Sequence, residues 1–235
     1  MNIQKSIPLS YFHDLSDDIR LVEVLETLKL ALQERPEKLD EQVEILIDHL
    51  SSIITNQPFD SLNAKMITEI GELGSHLLGK LYFELLNNHE YQRMYNFLAM
   101  AFAYWVVRNK GTINQLEFFV TALAQTANIV HDKISLESLY EVATFIVYAT
   151  NDELKSAPEA AASDNPWRLL IMNYGIIATR THTPELMESA YDTLIQYFHS
   201  DAPGFFRKAM SEMDRLNYPL YVRSVVERYN SRFQN

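Results

Sequence analysis

The stretch MITEIGELGSHLLGKLYFEL, residues 66–85, decides the fold. Two readings compete for it. Gly74-Ser75-His76-Leu77-Leu78-Gly79-Lys80 spells the phosphate-loop pattern up to its last position, which would announce a strand, a nucleotide-binding loop and a helix. Met66, Ile70, Leu73, Leu77, Leu81 and Leu85 instead recur every three or four residues, the spacing that lays side chains along one face of an α-helix. The helix reading prevails on chemistry. Leu81 stands where a phosphate loop needs a hydroxyl for Mg²⁺, no strand precedes, and Leu77 and Leu78 belong to the apolar stripe. Gly71, Gly74 and Gly79 then mark places where a second helix approaches closely, at about 1 kcal/mol each in helix propensity.

The same period recurs in both directions. Leu21, Val22, Leu25, Leu28, Ala31 and Leu32 form a first stripe, with Ser16 as N-cap, Asp17 and Asp18 in the first turn and Pro36 as terminator. Leu39, Val43, Leu46, Leu50, Ile53 and Ile54 form a second, which stops before Pro58. A fourth helix carries Tyr91, Tyr95, Leu98, Phe102 and Trp105 and closes at Asn109-Lys110-Gly111. The pattern predicts a fifth over Ile113–Val130 and a sixth over Leu136–Val147 capped by Ser135. Asn165-Pro166 and Thr183-Pro184 each offer a cap and a first-turn proline for the seventh and eighth. Two shorter stripes follow, one through Phe206, Met210 and Met213, the other through Val222, Val225, Val226 and Tyr229.

This predicts an all-α fold: about ten antiparallel helices in α-α hairpins, forming one α-helical domain over residues 1–235. Residues 151–164, rich in Ala, Ser and acids with Pro158, read as one long exposed loop and a possible sub-boundary. Helix starts about 16 to 30 residues apart overlap the spacing of tetratricopeptide and HEAT-type arrays. The spacing is irregular, however, and the tetratricopeptide Trp, Leu-Gly, Tyr and Pro positions do not recur together. The expectation is a degenerate tetratricopeptide/HEAT-like array or an irregular helical bundle.

Composition narrows function by exclusion. With 47% hydrophobic and 22% charged residues the chain is an ordinary globular protein, not a disordered one. Only 6 Gly and 8 Pro argue against a many-stranded fold, and the 0 Cys remove thiolate zinc sites and cysteine nucleophiles. A formal charge of −11 disfavours nucleic acid as partner. The charge is uneven. Asp14 to Asp48 holds 11 acids and 4 bases, a local −7, whereas Asp201 to Asn235 holds 6 bases and 4 acids, a local +2. Residues 1–10 carry no secretory pattern and no stretch approaches the ~20 apolar residues of a membrane span, so a cytoplasmic chain without membrane contact is expected.

Three functional readings follow. Adjacent aromatics cannot all face one core, which makes Tyr104 (off the Phe102/Trp105 side) and Phe205 candidate anchors for a partner protein or a second copy. Arg223 and Arg228 in the basic tail would orient that partner. The leading expectation is thus a non-enzymatic interaction or adaptor protein without a cofactor. A second reading starts from His131-Asp132, which closes the apolar run Ala127-Asn128-Ile129-Val130. This doublet resembles the metal-binding doublet of the HD phosphohydrolases, an all-helical family. The resemblance implies a divalent metal on His131 and Asp132 with Asp192 as distal carboxylate and His89 or His76 upstream, activating a water. Lys133-Ile134 stand where that family carries Gly-Lys; the local alternative is that Asp132 and Ser135 form a turn and cap. Glu69, Glu72 and His76 share one helix face but lack the second Glu-x-x-His step of di-iron bundles. No Gly-x-Ser-x-Gly and no His-Glu-x-x-His occurs. The third reading is a helical small-ligand sensor with Trp105 and Tyr104 lining a pocket.

Overall fold

The computed structural model describes residues 18–33, 41–56, 62–85, 89–157 and 162–234. These residues form α1 (Asp18–Gln33), α2 (Glu41–Asn56), α3 (Ala64–Leu85), α4 (His89–Arg108), α5 (Glu117–Ile129), α6 (Lys133–Ala149), α7 (Asp152–Ser156), α8 (Pro166–Thr181), α9 (Pro184–Tyr197), α10 (Ala202–Leu216) and α11 (Leu220–Ser231). The fold is all-α, as the helical spacing predicts. Among the described residues the only strand-like feature is a single bridge between Ile113 and Thr150. Ser16, Asp17, Pro36, Leu39, Pro58 and Pro158 lie outside the described residues.

Side-chain contacts give the helix directions. Gly71 faces Val106 and Gly74 faces Phe102, so α3 and α4 run antiparallel. Gln33 bonds Glu44 while Lys29 pairs with Asp48, which orients α1 against α2 in the same way. Glu137 meets Thr183 and Thr144 meets Tyr174, reversing α8 on α6. Next-but-one contacts are parallel where they are resolved: Glu188 pairs with Arg228 and Asp192 with Arg232 between α9 and α11. The ladder is not uniform, because α1 also packs directly on α4.

The third and fourth helices hold the centre. Every residue from Met94 to Ala103 is buried, and α4 is surrounded by α1, α3, α5 and α6. Its approach to α3 depends on missing side chains. A Cβ on Gly74 would lie 2.0 Å from the Phe102 ring, and one on Gly71 would lie 3.2 Å from Val106. Gly79 likewise accepts the ring of Phe118 from α5. The three glycines mark close helix approaches, and the phosphate-loop look-alike is a helix interior in which Ser75 donates back to the Gly71 carbonyl at 3.0 Å.

Several boundaries differ from the sequence reading, each for a local reason. The fifth helix starts at Glu117, not Ile113. The Ile113 N–H donates to the Ala149 carbonyl (2.8 Å) and its own carbonyl accepts from Asn151 N–H (3.0 Å), so this segment is satisfied by the end of α6. The sixth starts at Lys133 with Asp132 as its cap, and Ser135 is the residue whose N–H is capped. The 151–164 loop contains the single-turn α7, capped by Asn151. Asn165 caps α8 as expected, but Thr183 makes no side-chain cap; its hydroxyl donates to Glu137 at 2.9 Å. At the end of α4 the left-handed residue is Lys110 (φ 64°), with Lys110 N–H on the Val107 carbonyl and Gly111 N–H on the Val106 carbonyl, both 2.9 Å. Gly111 is needed for space: a Cβ there would lie 2.6 Å from Ile67. No described helix is long and apolar enough to cross a membrane.

Two glycine substitutions separate packing from propensity. Gly74→Ala is expected to destabilise the fold by about 1–3 kcal/mol, because the overlap with Phe102 outweighs the gain in helix propensity. Gly204→Ala in α10, where nothing lies within 4 Å, is expected to stabilise by about 0.4–1 kcal/mol. Urea denaturation of both variants checks the contrast; equal effects would remove the special role of the α3–α4 contact.

Candidate functional site

Three interhelical turns gather at one end of the fold: Val130–Asp132 after α5, His182–Thr183 after α8 and Asn217–Pro219 after α10. Arg180, in the last turn of α8, joins the first two. Its Nη1 donates to the Ala127 carbonyl and its Nη2 to the Val130 carbonyl at 2.5 Å, and Nη2 lies 3.4 Å from His131 Nδ1. The last carbonyls of a helix lack intrahelical donors and carry the negative end of its dipole, so a guanidinium suits the C-terminus of α5. Among the described residues no carboxylate forms an ion pair with Arg180. Its direct hydrogen bonds go to backbone carbonyls.

The third turn joins through rings. His182 takes the left-handed conformation (φ 57°) that closes α8, and its ring centroid lies 4.9 Å from that of Tyr218. Burial, then the nearby Lys133 ammonium, hold the His182 imidazole below its ordinary pKa. Burial pushes the Tyr218 phenol up, against the pull of Arg180. Behind these turns the helices are locked by buried tyrosines. Tyr140 of α6 and Tyr174 of α8 stack at 4.8 Å with their hydroxyls 2.6 Å apart, and Tyr191 of α9 shares a 2.6 Å hydrogen bond with Thr179.

Around this end, five large apolar side chains remain exposed: Ile129 and Ile134 beside the α5–α6 turn, Leu216, Leu220 and Tyr221 beside the α10–α11 turn. Leu220 is 80% exposed and Ile134 67%. Helical register explains this. Val222, Val225, Val226 and Tyr229 form the buried stripe of α11, and Leu220 and Tyr221 fall outside it.

The expected anchors lie elsewhere. Tyr104 is half-buried with its ring edge-on to Phe145 at 5.3 Å. Phe205 is half-buried over Gly175, where a Cβ would lie 2.8 Å from its ring, and edge-on to Tyr191 at 5.9 Å. Each ring is seated on one side and open on the other: Tyr104 against Phe145, and Phe205 against Gly175 and Tyr191 while its neighbour Phe206 is fully buried. Arg223 pairs with Asp214 and, at 2.7 Å, with Glu227; Arg228 pairs with Glu188. Each of the four residues has an intrachain partner.

The metal alternative finds its residues engaged as well. Asp132 accepts from Ser135 N–H at 2.9 Å as the α6 cap, and this bond to the backbone holds its carboxyl below the usual range. Asp192 accepts from the Tyr229 hydroxyl at 2.8 Å and faces Arg232 at 3.6 Å. Glu72 accepts from Asn114 at 2.6 Å, Glu69 faces Lys65 at 3.8 Å, and the side chain of His89 lies outside the described residues. Among the described residues no group of three or more His, Asp or Glu comes together as a metal would require, so His131, Asp132 and Asp192 do not converge. No protein-family model, curated protein or solved structure matches this chain. The site therefore rests on its own geometry.

Sequence reasoning missed Arg180. A basic residue in a last turn ordinarily serves its own helix, and nothing in Arg180-Thr181-His182-Thr183-Pro184 signals that it serves α5. The Asp132 cap gives a measurable pH dependence. The carboxyl is held lower in the folded chain than in the unfolded one, so its stabilisation is present above about pH 4 and is lost as pH falls through the folded value. Asp132→Ala is expected to lower stability by about 1 kcal/mol at neutral pH, with the deficit shrinking in acid, as pH falls below the unfolded carboxyl's value of about 4. Urea titrations of both proteins at neutral pH and in acid check this. A deficit undiminished in acid would assign the effect to something other than the charged cap.

Proposed function

We propose that this chain is a cytoplasmic, non-enzymatic interaction protein: an adaptor that binds another protein through the end where the α5–α6, α8–α9 and α10–α11 turns gather. The observation that carries this reading is the placing of five exposed apolar side chains around a guanidinium that forms no ion pair with a carboxylate among the described residues. Apolar side chains in water are unfavourable singly and become anchors when a partner covers them together. A cation beside such anchors sets the orientation of a partner carrying a carboxylate. Ile134, Leu220 and Tyr221 take the anchoring role that the sequence suggested for Tyr104 and Phe205. Arg223 stands at the rim beside them, and Arg228 serves the α9–α11 contact.

The helix order supports a degenerate tetratricopeptide/HEAT-like array as the scaffold. Antiparallel neighbours combined with a parallel next-but-one contact, as between α9 and α11, are what stacked helix pairs produce. Such scaffolds present turns in a row at each edge, and a row of turns is what carries the proposed surface. The hydrolase alternative has less support, since Asp132 and Asp192 already satisfy a helix N-terminus and a buried phenol.

The test is recovery of partners with tagged wild type and with the double variant Ile134→Glu/Leu220→Glu, circular dichroism first showing equal helix content. The expected result is a protein recovered in stoichiometric amount with wild type and reduced at least about tenfold with the variant, the effect of losing two anchors. Equal recovery from both would place binding on another face.

A further inference from the structure

We infer that the surface at the α10–α11 end takes the α1/α2 hairpin of a second copy, so that copies of this chain associate head to tail. This rests on the reading above that this end is a protein-binding surface, and it names the partner. The two hairpins are the first and last of the described helices. The main neighbours of α1 and α2 are each other, α3 and α4; those of α10 and α11 are each other and α9. A helix face that is to stay apart from other molecules carries polar side chains. Here the first and last described hairpins both expose apolar side chains instead. Leu30 on α1 is 62% exposed and Ile45 on α2 is 59% exposed, beside the Lys29–Asp48 and Gln33–Glu44 contacts. At the other end stand Leu216, Leu220 and Tyr221.

Charge selects which end meets which. Helices α1 and α2 carry six acids (Asp18, Glu23, Glu26, Glu41, Glu44, Asp48) against Arg20 and Lys29, and Lys29 is already paired with Asp48. Helices α10 and α11 carry five bases and three acids. Each of those acids is held by an arginine: Glu212 by Arg215, Asp214 and Glu227 by Arg223. Arg207 and Lys208 stay exposed on α10 with no carboxylate partner among the described residues. Two α1/α2 faces brought together would set acid on acid, and two α10/α11 faces base on base. The heterologous pairing alone is complementary in both charge and apolar content. Such a contact leaves one free end of each kind and therefore closes into a ring or grows into a chain.

The experiment is sedimentation and light scattering of the purified full chain over a concentration series at low and high salt, with Leu220→Glu to block one end and Ile45→Lys to block the other. A second pair, Arg207→Glu/Lys208→Glu and Glu41→Lys, repeats the test on exposed charges. The expected result is a wild type whose mass rises with concentration and falls with salt. Each single-end variant should be monomeric, and a mixture of the two should form a one-to-one dimer, since one intact face of each kind remains. A wild type that stays monomeric at every concentration overturns the inference while leaving the adaptor reading to its own partner-recovery test. So does an oligomer that either single-end variant leaves intact, or a mixture of the variants that stays monomeric.

Discussion

The contact between the Phe102 ring and the bare backbone of Gly74 is the constraint on which most of the structure depends. With any side chain at residue 74, α4 would be pushed away from α3. Because the two helices close on each other there, α4 can be buried on every side and can serve as the common neighbour of α1, α3, α5 and α6. Close packing then propagates outward through similar devices. Gly79 seats Phe118 and so draws α5 onto α3, while Gly175 seats Phe205 from α10 against α8. Interiors packed at crystal density tolerate few other arrangements, so a handful of absent side chains determines how the hairpins nest.

Polar contacts do a different job. The stacked Tyr140 and Tyr174 rings and the Tyr191–Thr179 pair join α6, α8 and α9 through buried hydroxyls, and burial raises the pKa of both Tyr174 and Tyr191. Paired in this way, a buried hydroxyl fixes register without leaving an unmet hydrogen bond. Arg180 carries the same principle to the surface. It reaches from α8 to the open carbonyls of α5 and thereby holds two turns side by side at one end of the fold.

The fold was legible because it is written in short-range periods. Stripes at three- and four-residue spacing locate the helices, Asn165-Pro166 marks the start of α8, and the glycines of α3 announce close approach, each from local residues alone. The misplaced boundaries are those set by distant partners. Ile113 leaves the helix because Ala149 and Asn151 complete its backbone bonds, a pairing across more than thirty residues that no local pattern contains. The site was legible only in its components. Asp132 was recognised as a residue of special position, and its alternative as a cap with Ser135 is the role the structure shows. Aromatic clustering pointed to Tyr104 and Phe205, but whether an aromatic faces outward depends on which ring or glycine stands opposite, and that is decided by tertiary packing.

This difference has a physical origin that bears on how a surface of this kind must be found. A catalytic centre leaves reactive groups without structural partners, and here the carboxylates considered for such chemistry are engaged: Asp132 by an amide and, deeper in the fold, Asp192 by a phenol and a guanidinium, with Glu137 beside the turns held by a hydroxyl. What the turns leave unsatisfied is of another kind. Water is a poor neighbour for Leu220, Ile134 and Tyr221, and Arg180 is held by backbone carbonyls with no ion-paired carboxylate among the described residues. Both deficits are relieved by one event, the arrival of an apolar face that carries a carboxylate. An α1/α2 hairpin, which exposes Leu30 and Ile45 and whose two helices contain six acids, has that composition.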